Sequence, residues 1–546
     1  MPGVRWLIAL VLLAPSLRAQ DGCNSVAAWN ACDLVFELMP NERDRAVDTH
    51  AEFRSPHHKT YAMQAFRDGG RLVIRFAPTE SGPWEYRISS NLQRLEGTMG
   101  QFTAGESDSP GFVKVANVHH FATENQKPHL WMSAPMENFA SMPRTDFDRA
   151  VDQFAAEKFT HVRVTLDRGA NLNEAAERIR AISAKGLTAD LSLASIPPDA
   201  QERERYLRDL VPRFAAFNLT WAGMPAFEAT PQARSILKDT GALLQKLDPY
   251  DHPRTSGANS TSAPMAPDGW MTVLSYGTAD ANVGAVEHQL YQVSSINTGI
   301  RNQKDLWNAT MNGQYPASGS GEYMKAWFEF MSGNRYWELE PYFDVDGARA
   351  IALEGVEYIV YLEKPGPVEL TVENHSYDIA WMNPATGEIT KEKKNYKGEH
   401  FATEPPDRSH DWVLRVSREG HKEGMLKSYK FDSRPIPVQV VEQNPQKVPY
   451  EIAEPAVTEI SLSRPPLYSV KAKRESRASR SVLVEWTADV VVDGEGYRVA
   501  GTGREGTLHI PEGLAKTFPA VVSLRMALLN ANGKAYVVDK VYSLTR

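Results

Sequence analysis

A chain of 546 residues has room for three or four domains at about 150 residues each. With 42% hydrophobic and 10% aromatic residues it can fill several cores, which excludes global disorder. The 60 Lys and Arg against 68 Asp and Glu give a net charge of −8, which argues against a protein built to grip nucleic acid and leaves neutral or cationic ligands open.

Residues 1–19 have the layout of a secretory signal. Arg5 precedes an apolar run from Trp6 to Ala14, Pro15 breaks it, and Ala19 offers a small residue before Gln20. The run is too short to span a bilayer, so an exported protein (periplasmic, cell-surface or extracellular) without a membrane-spanning segment is expected. Cys23 and Cys32 are the two cysteines of the chain. In an oxidising compartment they most simply form one disulfide, with two free thiols as the alternative. No metal and no cofactor is expected.

Residues 20–117 read as a β-sandwich. Strand-like runs at Leu34–Leu38, Tyr61–Phe66, Leu72–Phe76 and Trp84–Ile88 are separated by turns such as Asp68-Gly69-Gly70 and Ser81-Gly82-Pro83. Over 118–343 the pattern changes. Runs at Leu130–Met132, His161–Leu166, Ala189–Leu193, 218–225, 253–258, 271–278, 294–299 and 334–343 alternate with charged, Ala-rich stretches near 145–158, 173–185, 199–215 and 231–247. Eight strands interleaved with helices predict a (β/α)8 TIM-like barrel. Residues 344–420, with Glu357–Leu362, Val368–Val372 and Trp412–Val416, read as a second sandwich. Residues 421–546 read as a Pro-rich linker near Arg434–Pro437 and a β-rich domain whose clearest strands are Ser481–Trp486, Thr507–Ile510 and Tyr536–Val538.

Three segments carry a family resemblance. Phe53-Arg54-Ser55-Pro56, Tyr61, Ala65-Phe66, Asp68–Gly70, Arg75–Pro78 and Gly82–Tyr86 together resemble the uncharacterised sandwich found ahead of bacterial apiosidase-like glycoside hydrolase barrels. Trp221-Ala222-Gly223 with Asp248–Arg254 resembles those barrels. Trp381–Glu388 followed by Asp411–Leu414 resembles the sandwich family named "putative collagen-binding". The match spans roughly 28–418 and implies a secreted carbohydrate-active protein. The collagen label is a family name and establishes no ligand.

A glycosidase needs two carboxyl groups flanking the scissile bond, and a barrel supplies them from the C-terminal ends of its strands. Glu228 is the nearest carboxylate after the fourth strand, where the resemblance places the acid/base. It reads equally as the first-turn acid of a helix starting at Pro231. The segment Ser294–Ile300 has no acid where the family pattern expects the nucleophile, and the next one, Asp305, falls inside a helix. Glu137, Asp167, Asp280, Glu338 and Glu340 are the substitutes, each more readily read as a surface or salt-bridging acid, so the second carboxylate stays unassigned. Trp131, Trp221, Tyr276 and Trp337 fall on or near barrel strands, where a ring stacks on a sugar or fills the core. His252 and Arg254 either bond substrate or belong to a turn.

Other motifs fail on context. Gly501–Gly506 matches GxGxxG but runs into a strand, not a helix. Asp344–Gly347 lacks the remaining ligands of a calcium loop. His57-His58 and His119-His120 are adjacent pairs, not a zinc-protease signature. The reading is a glycoside hydrolase-like protein acting on polysaccharide or oligosaccharide. Its rival is a non-catalytic carbohydrate-binding or adhesion protein on a decayed scaffold.

Overall fold

The computed structural model describes residues 20–43, 45–230, 232–278, 281–418, 439–440, 443–474, 486–492, 495–502, 505–510, 512–530 and 533–546. Residues 1–19, expected to be a signal, Asp280, Arg434–Pro437, expected to be a linker, and Ser481–Glu485 lie outside these residues. The chain divides into two compact units, Met1–Asp108 and Ser109–Arg546. Among the described residues, no helix is long and apolar enough to cross a membrane.

The first unit holds two four-stranded antiparallel sheets. One runs in the order Gln20–Asp21, Cys32–Glu37, Arg71–Phe76, Phe66–Asp68; the other in the order Thr60–Gln64, Thr49–Arg54, Gly82–Ser90, Met99–Ala104. Strand alternation decides what faces inward. In Gly82–Ser90, Trp84, Tyr86 and Ile88 are buried while Glu85 and Arg87 are exposed. Phe53 stacks on Phe76 at 4.0 Å, and Phe76 meets Trp84 edge-on at 5.0 Å. Cys23 and Cys32 are joined by a disulfide. The buried Glu42 accepts two bonds from Arg94, which hold its carboxyl down at about 2 against the opposing effect of burial.

The second unit is mixed α/β. Ser133–Pro135, His161–Leu166, Thr188–Leu193 and Leu219–Trp221 form one parallel sheet; Val273–Tyr276, Ser294–Asn297 and Tyr315–Pro316 form another. Arg254 lies between them. It forms a parallel bridge with Trp221, and its carbonyl accepts from the Thr272 and Val273 N–H groups. Eight parallel segments therefore follow one another, interleaved with helices Arg144–Ala156, Leu172–Ala184, Ala200–Phe214, Ala233–Leu247, Ala281–Leu290, Gln303–Met311 and Glu322–Ser332. No ladder joins Tyr315–Pro316 back to Ser133–Pro135 among the described residues, so a single closed barrel is not defined by hydrogen bonds.

The helices start where the sequence provides caps. The Asn171 side chain accepts from Asn173 N and Glu174 N, and Asp199 accepts from Glu202 N. Buried Leu207, Leu210, Val211 and Phe214 then form an apolar stripe at helical spacing.

Two strand assignments need correction. The first segment is Ser133–Pro135, just beyond the expected Leu130–Met132. The eighth is the two-residue Tyr315–Pro316, not 334–343. That stretch contains a 3-10 turn, Tyr336–Glu338, and the strand Glu340–Tyr342, which pairs antiparallel with Arg349–Leu353 because a short reversal returns the chain beside it.

Glu340–Tyr342 opens a seven-stranded antiparallel sheet with Val345–Asp346, Arg349–Leu353, Glu357–Leu362, Val368–Met382, Ile389–Thr403 and Trp412–Arg418. Its two faces have different partners. Ile351, Ile359, Tyr361 and Val413 pack with Trp307, Trp327 and Phe330 from the helices of the parallel array. Tyr358, Val360, Leu362 and Leu414 point the other way into a separate core. The sequence predicts a second sandwich over 344–420; there the antiparallel sheet packs helices against one face.

Beyond it, the three-stranded sheet Tyr450–Glu454, Leu467–Ala472, Glu505–Thr507 shares a core with a five-stranded sheet containing Trp486–Val492, Ala520–Leu529 and Ala535–Thr545. Gln439–Val440 pairs antiparallel with Tyr291–Gln292, just ahead of the Ser294–Asn297 strand.

Candidate functional site

A cavity of about 640 Å³ opens at the C-terminal ends of the parallel segments. All eight contribute to its lining: Glu137, Arg163, Asp190, Thr220, Thr255, Ser275, Thr298 and Ala317 stand on or just past successive segments. The reason is the two-residue strand period. Arg163 and Thr165 face the cavity while Val162, Val164 and Leu166 are buried on the other face; Asp190 and Ser192 alternate likewise with Ala189, Leu191 and Leu193. Gly257 lets the loop close over the fourth segment, since a Cβ there would come within 2.0 Å of the Pro225 carbonyl oxygen.

Among the described residues, three acids line the cavity: Glu137, Asp167 and Asp190. Glu137 and Asp167 are exposed, whereas Asp190 is buried. Asp190 Oδ2 accepts from Ser133 Oγ at 2.8 Å, and Oδ1 accepts from His161 Nδ1 at 2.8 Å. Because Nδ1 of His161 donates to Asp190, its Nε2 is the acceptor for the N–H of His129 Nε2, 2.8 Å away. The cavity floor is thus one end of a hydrogen-bonded chain, Asp190–His161–His129. Burial and the facing His161 push the His129 pKa well below its ordinary value. Burial also lowers the Arg163 pKa, against the opposing charges of Asp190 and Glu137.

Glu228 is placed elsewhere. It sits in the 3-10 turn Phe227–Ala229 and does not line the cavity. Its carboxylate accepts from Asn259 N at 2.9 and 3.0 Å and from Ser260 N at 3.3 Å, fixing the loop that carries the lining residue Asn259. Backbone donors without a ladder partner claim the acid first. Helix Ala233–Leu247 starts five residues after it, so it is not that helix's first-turn acid either.

The four aromatic candidates are all buried and none lines the cavity. Trp131 stacks on His161 at 3.6 Å, behind the Asp190 chain. Trp221 points outward from its strand and donates Nε1–H to Asp248. Tyr276 alternates with cavity-facing Ser275 and so points away. Trp337 lies in the turn Tyr336–Glu338, within the core shared with the antiparallel sheet. Packing accounts for each.

The remaining candidates are also accounted for. Asp248 and His252 form a fully buried pair, 2.9 Å apart, beneath Trp221. Burial works to raise the Asp248 pKa, but His252 and the bonds from Trp221 outweigh it and hold the carboxyl well below the usual range. Arg254 donates Nε–H to Trp270 O and pairs with Asp251. Glu338 pairs with Arg335, and Asp305 accepts from Arg301 N. Glu340 lies among histidines at the opposite end of the array.

Sequence reasoning named Glu137 and Asp167 only as substitutes, and it missed Asp190, Arg163, His161 and His129. The signal was present. His161, Arg163, Thr165 and Asp190, Ser192 put polar residues at every second position of otherwise apolar strands, which marks a polar interior face.

A family model described as "Domain of unknown function (DUF5060)" matches residues 25–91. A crystal structure of a "putative glycoside hydrolase" from Bacteroides vulgatus ATCC 8482 matches with a TM-score of 0.61 at 17% identity, covering 72% of this chain and 100% of that one. A family 5 glycoside hydrolase from the same organism reaches a TM-score of 0.47 at 11% identity, covering 57% of this chain and 95% of its own. No curated protein matches. The comparisons lend no support to the apiosidase-like or collagen-binding resemblances. At such identity a likeness shows fold alone, and that much it does show: the chain has a glycoside-hydrolase-like fold.

Proposed function

We propose that this is an exported carbohydrate-binding protein on a glycoside-hydrolase-like scaffold, its eight parallel segments acting as a TIM-like barrel and its ligand lodging at their C-terminal ends. One observation carries the reading. The cavity is large enough for a small-molecule site, about 640 Å³, and is lined largely by polar side chains, while the acid expected to protonate a glycosidic oxygen is committed to backbone donors. Arg163, Asp190, Ser192 and Asn259 supply donors and acceptors suited to sugar hydroxyls.

The test is a glycan-binding screen on the full-length mature protein, coupled to assays for released reducing sugar. Binding without turnover, weakened by Arg163→Met and much less by Glu228→Gln, is the expected result. Failure to bind any glycan in a broad screen sinks the proposal.

A second reading, hydrolysis of an O-glycosidic bond, draws on Glu137 and Asp167, whose exposed carboxylates both reach the cavity. Asp280, four positions after Tyr276 in the sequence, lies outside the described residues and is the further candidate acid. Under this reading the wild type turns over a glycan, and Glu137→Gln, Asp167→Asn or Asp280→Asn abolishes turnover with binding retained.

A further inference from the structure

At the far end of the parallel array, away from the cavity, three histidines converge on one carboxylate. His119 Nδ1 lies 3.0 Å from both oxygens of Glu340, and His288 Nε2 lies 2.6 Å from Oε2. His120 Nε2 lies 3.4 Å from Oε1. The position is fixed by Ser294, the first residue of the Ser294–Asn297 strand, whose Oγ donates to the His120 carbonyl at 2.7 Å. Cavity residue Thr298 stands beyond the other end of that strand.

Hydrogen bonding completes this cluster only when His119 carries a proton on both ring nitrogens. The carbonyl of Tyr291 only accepts, so the His119 nitrogen facing it at 3.3 Å, Nε2, carries the N–H. In the neutral ring Nδ1 then presents a lone pair to the Glu340 carboxylate, and two acceptors face one another. His120 adds a second anomaly. Its side chain is buried, its Nδ1 is bonded to Tyr315 Oη at 2.7 Å, and its Nε2 lies 3.4 Å from Glu340 Oε1 without forming a well-aligned hydrogen bond. A backbone carbonyl on the outer nitrogen and a lone pair aimed inward is the arrangement that metal-binding histidines adopt.

We propose that His119 Nδ1, His120 Nε2, His288 Nε2 and the Glu340 carboxylate hold one divalent transition-metal ion of the zinc class. The candidate donor atoms of His119, His288 and Glu340 all lie within 4.8 Å of one another. An ion about 2 Å from each donor spaces tetrahedral ligands roughly 3.3 Å apart; His120 Nε2, outside that group of three but 3.4 Å from Glu340 Oε1, has the farthest to move. Imidazole nitrogen with a single carboxylate selects zinc-like ions over calcium or magnesium, which prefer oxygen. The fold makes room for it: Gly313, at φ 72°, lies where a Cβ would come within 2.7 Å of the His288 ring.

The role is structural. The ligands come from the hairpin Val113–Ala116/His120–Thr123 and its turn, from helix Ala281–Leu290, and from strand Glu340–Tyr342. One ion therefore ties the entry to the array, a helix late in it, and the first strand of the antiparallel sheet. The spacing 119, 120, 288, 340 resembles no local motif, so sequence inspection set the histidine pair aside.

The test uses tag-free, chelator-stripped full-length protein titrated with Co²⁺ and with Zn²⁺. One equivalent of Co²⁺ should bind with the visible absorption of a tetrahedral site, and Zn²⁺ should displace it and raise the thermal midpoint. His288→Gln and Glu340→Gln should each weaken binding by more than about 100-fold, beyond what losing an outer-shell partner costs. A parallel measurement needs no variant: Zn²⁺ should protect His119, His120 and His288 from diethyl pyrocarbonate, as read by peptide mass spectrometry. Absence of binding, binding indifferent to both variants, or no protection of these three residues overturns the site.

Discussion

From Ser133 to Trp221, neighbouring segments are joined by continuous parallel ladders, His161–Leu166 pairing residue for residue with Thr188–Leu193. From Ala222 to Thr272 the described residues make two isolated bridges, Arg254 with Trp221 and Thr261 with Tyr276, and side chains take over much of the work of the ladder. Asp248 accepts from Trp221 Nε1, Tyr250 N and both His252 N and Nδ1. Glu228 serves Asn259 and Ser260, and Thr272 Oγ1 accepts from Arg254 N. Charged residues collect in this second region because backbone groups without a strand partner need satisfying there. In a barrel-like protein such residues imitate a catalytic signature.

The sharpest test of that contrast is Asp248→Ala. It strands buried His252, Trp221 and two backbone N–H groups at once, and should cost about 3–5 kcal/mol, read as a lowered denaturation midpoint. A cost below about 1 kcal/mol would break the comparison. Glu228→Ala comes next. Its bonds are partly exposed, so a loss of about 1–2 kcal/mol is expected, with glycan binding weakened only through the Asn259 loop.

In the laddered region the effects are smaller. His129 is held neutral when folded, so below about pH 6.5 the unfolded chain takes up a proton that the folded chain refuses. Stability there falls with falling pH, by at most about 1.4 kcal/mol per unit from one proton. Urea midpoints between pH 7 and 5.5 should drop less in His129→Gln than in the wild type. The smallest effect belongs to the exposed Arg168–Glu202 pair, where Arg168→Ala should change stability by less than about 0.5 kcal/mol.

The same contrast explains what was legible beforehand. His161–Leu166 was readable to the residue, and helices near 145–158, 173–185 and 199–215 fell within a turn of their observed bounds, because apolar periodicity and caps are local signals. Tyr315–Pro316 was not readable. Two residues carry no period, and its strand character comes from pairing with Ile296 and Asn297. Glu340–Tyr342 has the better local pattern but finds its partner downstream. The site divides along the same line. Asp190 and Arg163 could have been found from strand alternation, whereas the occupation of Glu228 by Asn259 and Ser260 depends on a loop whose course no local pattern records.

Gln439–Val440 borrows its strand partner from Tyr291–Gln292, and Arg525 of the C-terminal sheets donates to the Tyr291 hydroxyl at 2.9 Å. The C-terminal module is therefore not an interchangeable bead on a string. Trimming the chain before Gln439, or swapping in an unrelated tail, would uncover a raw strand edge one residue ahead of Val293 and loosen the Tyr291 side chain, so recombination at this boundary carries a penalty that the domain order alone does not reveal.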